Sequence, residues 1–403
     1  WHTRGMAASK FSPSRRSAVS RFQVMDIVGD VEAMKAQGID VISLGAGEPS
    51  SGAPAGVNRA AAALHNSVTP VFNYTPSLGT QPLREAIAEH YSTWYSLDVG
   101  YESVAVTTGS SGAFVASFIA AFDVGDRVGL ARPGYPAYRN ILRALDVDVV
   151  DLPAGTDTNF RFDVDKLAEA HAKEPLDGLI LASPNNPTGT MVAREDMERI
   201  ATWCGENGVR LVSDEIYHGI TYGLDKGVSA WEFDRNAIVI SSFSKYWGMP
   251  GWRLGWMLMP EDLEPAVSGL AGSISLCPPA AGQYAAIEAF SQEAYEASDA
   301  EVAEFARTRQ LVLDNAERLG WRNAAPADGA FYYYAQPSEK ILQRYGNTVD
   351  YAAAVLEQAH VALIPGVDFD KVDGDQFIRV SFAAGYDNVE RAIERLVEFN
   401  ATI

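Results

Sequence analysis

Short runs of apolar and β-branched residues alternate with helix-spaced segments through the middle of the chain. Val104 to Thr107, Arg127 to Leu130, Val147 to Leu152, Gly178 to Ala182, Val209 to Ser213 and Ala237 to Ser241 read as strands. Helical spacing covers Ala113 to Phe122, Ala137 to Leu145 and Ala193 to Asn207. Strands separated by helices require crossovers, so the pattern predicts a mostly parallel sheet flanked by helices. In such sheets, ligands sit at the carboxyl ends of the strands.

The last third changes character. Leu263 to about Leu319 is largely helical, and strand patterns return at Gly329 to Tyr334, Val361 to Ile364 and Phe377 to Phe382. This part reads as a small α+β unit, with Ser20 to Ile42 packed against it. The expected architecture is α/β. Residues 46–284 form a large domain around a mostly parallel sheet of about seven strands. Residues 1–45 are an arm and part of the small domain, and 285–403 complete that domain.

Composition narrows the chemistry. Of 403 residues, 47% are hydrophobic and 21% charged, which is ordinary for a globular protein. A net charge of −20 argues against nucleic acid as a partner. No apolar stretch is long enough to cross a membrane. The two cysteines, Cys204 and Cys277, are far apart, and the six histidines lack metal-ligand spacing, so no metal is expected. Reduced thiols suit a cytoplasmic protein. Ser9 to Arg21 is basic and free of acids; it reads as an ordered arm rather than a targeting segment. Trp1 to Gly5, ahead of Met6, read as an addition to the natural start.

The most informative segment is Ser241-Ser242-Phe243-Ser244-Lys245, followed closely by Arg253. A desolvated lysine beside another cation can present a neutral amine, which forms a Schiff base with an aldehyde. Ser242, Ser244 and Arg253 offer what a phosphate needs. An aldehyde and a phosphate on one molecule point to pyridoxal 5'-phosphate. Other motifs supply its partners. Asp214, at a strand end, would face the ring nitrogen and keep it protonated. Tyr217, three residues on, would bond the ring's phenolic oxygen. Asn186, in the tight turn Pro184-Asn185-Asn186-Pro187-Thr188-Gly189, would point its amide at a ring oxygen. Thr108-Gly109-Ser110-Ser111-Gly112 opens a helix, whose free N–H groups and dipole can cradle a phosphate. Tyr135 could stack on a flat ring. Gly45-Ala46-Gly47 lets backbone approach a ligand closely.

In order and spacing, these landmarks resemble the class I/II aminotransferases of fold type I, from Arg15 to the C-terminus. Others are Gly47-Glu48-Pro49, Tyr74, Gly79, Leu83-Arg84 and Arg379. The resemblance implies the transferase fold of that family and an amino-group transfer between an L-amino acid and a 2-oxo acid. It implies that Lys245 holds pyridoxal phosphate as a Schiff base and then shuttles a proton, with Asp214 and Tyr217 as further catalytic groups. Ser110, Ser111, Gly112, Ser242, Ser244 and Arg253 would hold the phosphate. Tyr74 would reach it from a second subunit, making a homodimer with shared active sites. Arg379 would clamp the substrate carboxylate, with Gly45 and Asn186 against the substrate. A lyase acting on carbon–sulfur bonds is the alternative reading, and a non-enzymatic regulator a lesser one.

The chain departs from its relatives at Pro365-Gly366-Val367-Asp368-Phe369-Asp370, where Asp370 stands in place of a small residue; it is expected near the substrate end of the site. Trp247 and Trp252 are expected to crowd the Lys245 loop. The 109–112 turn carries no lysine for a side-chain carboxylate, so the reading leans away from dicarboxylic substrates, though Arg15, Arg16 or Arg21 could reach the site from the arm.

Overall fold

The computed structural model describes residues 12–45, 47–67, 72–223 and 225–403. Trp1 to Gly5, Lys10 and Ala46 lie outside the described residues.

After the arm helix Gln23–Ala36 comes a two-residue strand, β1 (Ile42–Ser43). The large sheet follows: β2 (Val104–Thr107), β3 (Arg127–Arg132), β4 (Asp148–Pro153), β5 (Gly178–Ala182), β6 (Arg210–Asp214), β7 (Ile238–Ser242) and β8 (Gly255–Leu258). Its spatial order is β2-β8-β7-β6-β5-β3-β4. Strands β3 to β7 pair in parallel. Strand β8 runs antiparallel to both β2 and β7. The sheet is therefore seven-stranded and mostly parallel, flanked by helices. Six of its strands fall within two residues of the sequence expectation. Strand β8 was not anticipated, because Gly255 follows Leu254 with no helix to announce a new element.

Both faces of the sheet are covered, which explains the near-continuous apolar runs. Leu179, Leu181, Leu211 and Val239 pack on one side with Met197, Ile200 and Cys204 of the helix Arg194–Asn207. Ile180, Val212, Ile238 and Ile240 pack on the other with Phe114 and Phe118 of the helix Gly109–Ala121 and with Tyr138 and Leu142 of the helix Pro136–Ala144. Successive side chains point to opposite faces, so with both faces covered β2, β7 and β8 are buried at every position, and only the edge strand β4 is largely open.

The smaller part holds β9 (Trp321–Arg322), β10 (Tyr332–Pro337), β11 (Val361–Ala362), β12 (Ile364–Pro365) and β13 (Ile378–Ser381). These form an antiparallel sheet in the order β12-β13-β10-β9, while β11 pairs in parallel with β1. Val31 of the arm helix clusters with Val41 and Ala362, so both chain ends meet here. The strand expected at Gly329 begins at Tyr332 instead. Gly329 and Ala330 are drawn away by backbone hydrogen bonds to Gly189 and Ile220.

One edge of the large sheet gathers the chemistry. Thr107 ends β2, Arg132 ends β3, Ala182 ends β5, Asp214 ends β6 and Ser242 ends β7, while Gly255 begins the reversed β8 at that same edge. Among the described residues, no helix is long and apolar enough to cross a membrane, and no cluster of His, Cys, Asp and Glu could hold a metal ion.

Candidate active site

A cavity of about 680 Å³ opens at this edge. Its wall includes Ser110, Ser111, Tyr135, Asn186, Asp214, Tyr217, Ser244, Lys245, Arg253 and Arg379. Segments more than 260 residues apart in sequence thus converge on one space. Gly45, Tyr74, Gly112 and Ser242 have other surroundings, described below.

Lys245 leaves the turn after β7, and its Nζ donates to the carbonyl oxygen of Gly47 at 2.6 Å. Burial lowers its pKa from 10.5 to about 8, with Arg379 and Arg253 adding to the effect and Glu48 and Asp214 opposing it. At pH 7 roughly a tenth of this amine is then unprotonated, far more than for an ordinary lysine, and the neutral form is the nucleophile.

Asp214 and Glu215 are adjacent but face opposite ways, as strand geometry dictates. Asp214 reaches the cavity. Its carboxylate accepts from the Tyr138 hydroxyl and, at 3.1 Å, from the Ile216 N–H. Burial raises its pKa to about 6, and the two donors hold it down against that. Glu215 turns into the core, accepting from Ser213 Oγ at 3.0 Å and Ala230 N–H at 2.9 Å.

Arg379 on β13 is 3% exposed. Its Nη1 donates to Asn186 Oδ1 at 3.0 Å and its Nη2 to the Gly45 carbonyl at 2.8 Å. The guanidinium lies between two rings, with Cζ 4.5 Å from the Tyr332 centroid and 4.8 Å from that of Phe369. Its Nε is buried with no hydrogen-bond partner. Gly45 therefore supports the arginine through its carbonyl.

The helix Gly109–Ala121 points its first turn at the cavity, and Arg253 lies against it. A Cβ on Gly109 would sit 2.4 Å from Arg253 Nη2, and one on Gly255 would sit 2.7 Å from the Ser110 nitrogen. Two glycines thus let a guanidinium and a strand close around the first-turn amides. The Gly112 N–H is already spent on the Thr108 carbonyl at 3.4 Å, so the open donors begin earlier than the sequence suggested. Ser242 is also committed. Its Oγ accepts from the Ser244 N–H at 3.0 Å and lies 2.8 Å from Ser244 Oγ and 2.9 Å from the Leu254 carbonyl, either of which can take its one proton, shaping the turn that presents Ser244. Tyr74 is 82% exposed and stands outside this chain's cavity.

Several residues in the site were not singled out from sequence. Tyr138 is three positions beyond Tyr135 on one helix face, a spacing that could have revealed it. Tyr332 bonds Tyr217, hydroxyl to hydroxyl, at 2.7 Å. Its place in an aromatic run read only as strand. Phe22, Val24 and Met25 of the arm and Phe369 line the cavity, and nothing local signals that. Asp370 does not line the cavity; it is held by Arg132 at 2.6 Å. Trp247 is buried in the aromatic cluster with Phe243, Trp256 and Phe290 beneath the Lys245 loop. Arg16 pairs with Asp146 on the surface.

Comparison with known proteins agrees with this arrangement. The profile of the family described as Aminotransferase class I and II matches residues 39–396. The chain belongs to the class I and II aminotransferases. It is 44% identical over 384 residues to the valine–pyruvate aminotransferase of Mycobacterium tuberculosis, covering 94% of this chain and 96% of that one. An aminotransferase crystal structure from the same organism superposes with a TM-score of 0.92 at 42% identity, covering 98% and 100% of the two chains. The Thermus thermophilus aspartate aminotransferase with maleate superposes with a TM-score of 0.89 at 29% identity, over 96% and 99%.

The protein is thus a transaminase that uses pyridoxal phosphate, and its site fits that cofactor. The Gly109 cradle under Arg253 and Ser110 suits a phosphate. The depressed Lys245 amine suits an aldehyde, and buried Asp214 suits a protonated ring nitrogen.

Two outcomes are expected. Gly109→Ala forces a side chain into Arg253 at a φ of +66°, so cofactor affinity should fall by roughly tenfold or more, measured by fluorescence titration. An unchanged affinity would remove the cradle from the phosphate site. In the cofactor-free chain, labelling of Lys245 by an amine-directed sulfonate reagent should rise with pH through a midpoint near about 8. Peptide mass spectrometry reads it, and a midpoint near the ordinary lysine value of ~10.4 would contradict the burial argument.

Proposed function

We propose that this aminotransferase takes a small apolar L-amino acid of the valine type as donor and a short 2-oxo acid of the pyruvate type as acceptor. The observation that carries this reading is the make-up of the cavity wall. Phe22, Val24, Met25, Ile216 and Phe369 give it an apolar side, and the cations on it are Lys245, Arg253 and Arg379. With Lys245 and Arg253 assigned to the cofactor, Arg379 remains for one carboxylate. A second carboxylate would meet Glu48 on the same wall. The activity named for the mycobacterial relative supports the same choice.

The geometry supports the following roles. When bound, the cofactor supplies an aldehyde carbon for the amine and a ring that accepts electrons from the substrate. Arg379 offers its Nε and an Nη edge to the substrate α-carboxylate and fixes the rotation of Cα. Lys245 Nζ takes the proton from Cα and returns it later, as its lowered pKa permits. Asp214, oriented by Tyr138 and the Ile216 N–H, holds a proton on the ring nitrogen. Asn186 and Tyr217 would bond the ring oxygen, and Tyr135 would stack on the ring. Ser110, Ser111, Ser244 and Arg253 hold the phosphate.

The finer assignments extend this reading. The division into residues 1–45, 46–284 and 285–403 is supported by the separate sheets, with β1 joining β11. The chain acts as a homodimer with shared sites. Exposed Tyr74, Ile274, Leu276 and Tyr284 give a second copy an apolar face to cover. A cytoplasmic location suits its two free cysteines.

With pyruvate as acceptor, kcat/KM for valine should exceed that for aspartate by at least roughly tenfold, and Lys245→Ala should abolish turnover with either. Preference for aspartate would reject the substrate assignment. Mixing inactive Lys245→Ala with inactive Tyr74→Ala chains, unfolded and refolded together, should restore roughly a quarter of wild-type activity through hybrid dimers. No recovery would place Tyr74 outside the partner's site.

A further inference from the structure

Three consecutive residues after β12 grip three different parts of the molecule. Asp368 is 4% exposed, and its Oδ2 accepts from the Val24 N–H at 3.0 Å. It thereby caps the first turn of the arm helix, which has no side-chain cap of its own. Phe369 places its ring 4.8 Å from Arg379 Cζ and accepts the Gly134 N–H at its carbonyl at 3.0 Å. Asp370 Oδ1 accepts from Arg132 Nη1 at 2.6 Å, and from the N–H groups of Val372 and Asp373 at 2.8 and 3.1 Å.

The last contact is unusual in its setting. Arg132 ends β3 of the large sheet, and the Arg132 and Asp370 side chains are only 12% and 7% exposed. A second acid, Asp373, meets the same Arg132 nitrogen at 2.9 Å but is largely exposed. Burying an ion pair stabilises little in itself, since desolvation offsets the attraction. Separating the partners is costly, however, because it leaves a buried charge unpaired, so the pair resists rearrangement. Here the fixed element is the backbone on either side of Phe369. That ring forms one of the two aromatic faces between which the Arg379 guanidinium lies. Tyr332 forms the other from inside β10, so the Phe369 side is the one that depends on an irregular segment.

We propose that Asp370, through its ion pair with Arg132, is a positioning residue for substrate binding: it holds Phe369 against Arg379 and so sets the affinity for the substrate α-carboxylate without touching the substrate. This rests on the reading of Arg379 as the carboxylate clamp. The chemistry at Lys245 and the phosphate cradle lie outside the chain of contacts, so their properties stay unchanged.

The test uses the cofactor-loaded enzyme with Asp370→Gly, Asp370→Asn, Arg132→Met, the charge-exchanged pair Asp370→Arg with Arg132→Asp, and Arg379→Ala. Three quantities are read: KM against kcat for valine, the dissociation constant of the non-reacting analogue α-methylvaline from its change in the visible spectrum, and the affinity for pyridoxal phosphate. Each single variant at 370 or 132 should raise KM and the analogue's dissociation constant roughly tenfold, while kcat moves less than about twofold and cofactor affinity is constant. The exchanged pair restores the attraction but not the acceptor for the Val372 and Asp373 N–H groups, so it should recover part of the affinity that the single variants lose. Asp370→Asn keeps the side chain's shape, so it reports on the charge even if Asp370→Gly fails to fold. Normal analogue binding in Asp370→Asn and Arg132→Met, alongside lost binding in Arg379→Ala, overturns the proposal and leaves the clamp intact. Normal binding in Arg379→Ala instead overturns the clamp reading itself.

Discussion

A fully buried guanidinium has to be satisfied from all sides, and Arg379 organises the site because of it. Stripping such a group of water costs several kcal/mol unless hydrogen bonds and counter-surfaces replace the solvent. Asn186 on the turn after β5, Gly45 beyond β1, Tyr332 on β10 and Phe369 after β12 provide the replacement. Only one of these, Asn186, belongs to the large sheet's edge. The arginine therefore ties the small antiparallel sheet, from which β13, β10 and the segment after β12 reach it, to Asn186 at the large sheet's edge and to Gly45 beyond β1. It also leaves Nε without a partner, the direction in which an anion gains most.

The same logic separates the two adjacent acids. Asp214 and Glu215 leave one strand in opposite directions and meet different polar groups. Burial pushes both upward, to about 6 and about 8. Donors oppose burial at both, Tyr138 and the Ile216 amide at Asp214 and Ala230, Ser229 and Ser213 at Glu215; Lys245 lowers Asp214 further, while the Asp214 charge raises Glu215. Asp214 remains an anion at neutral pH and can face a cationic ring nitrogen. Glu215, the higher of the two, keeps the end of β6 tied to Ser213 and to the Ala230 amide.

Much of this was legible in the sequence, and for an identifiable reason. The large sheet announces itself because each strand is an apolar run bounded by helix spacing, and the site motifs sit where those runs stop. Lys245, Asp214, Asn186 and the 109–112 turn were picked out by the residue types of their motifs, and each motif lies where such a run stops. The residues that escaped reading act at a distance. Tyr332 meets Tyr217 across 115 positions, and Asp370 meets Arg132 across 238. No local period encodes such a pairing. Asp370 was noticed as a departure and placed by the substrate. Its partner, known only from the fold, puts it one layer behind. Strand β8 escaped because it reverses direction, which removes the helix that marked the others.

That reversal has its own consequence for motion. Ser242 ends β7 and Gly255 begins β8, and the two are paired across the ladder, with Thr107 paired to Gly255 on the other side. The segment bearing Lys245 leaves and re-enters the sheet at a single clasp. Beneath it lie Phe243, Trp247 and Trp256, all at most 3% exposed. The buried part of such a segment, from Phe243 to Met249, is held at its ends and from beneath, so its backbone amides are expected to open less readily than those of the exposed stretch from Gly251 to Arg253. The reactive amine thus sits on backbone clasped to the central strands, while the groups that select the substrate are carried by segments that lie outside the large sheet.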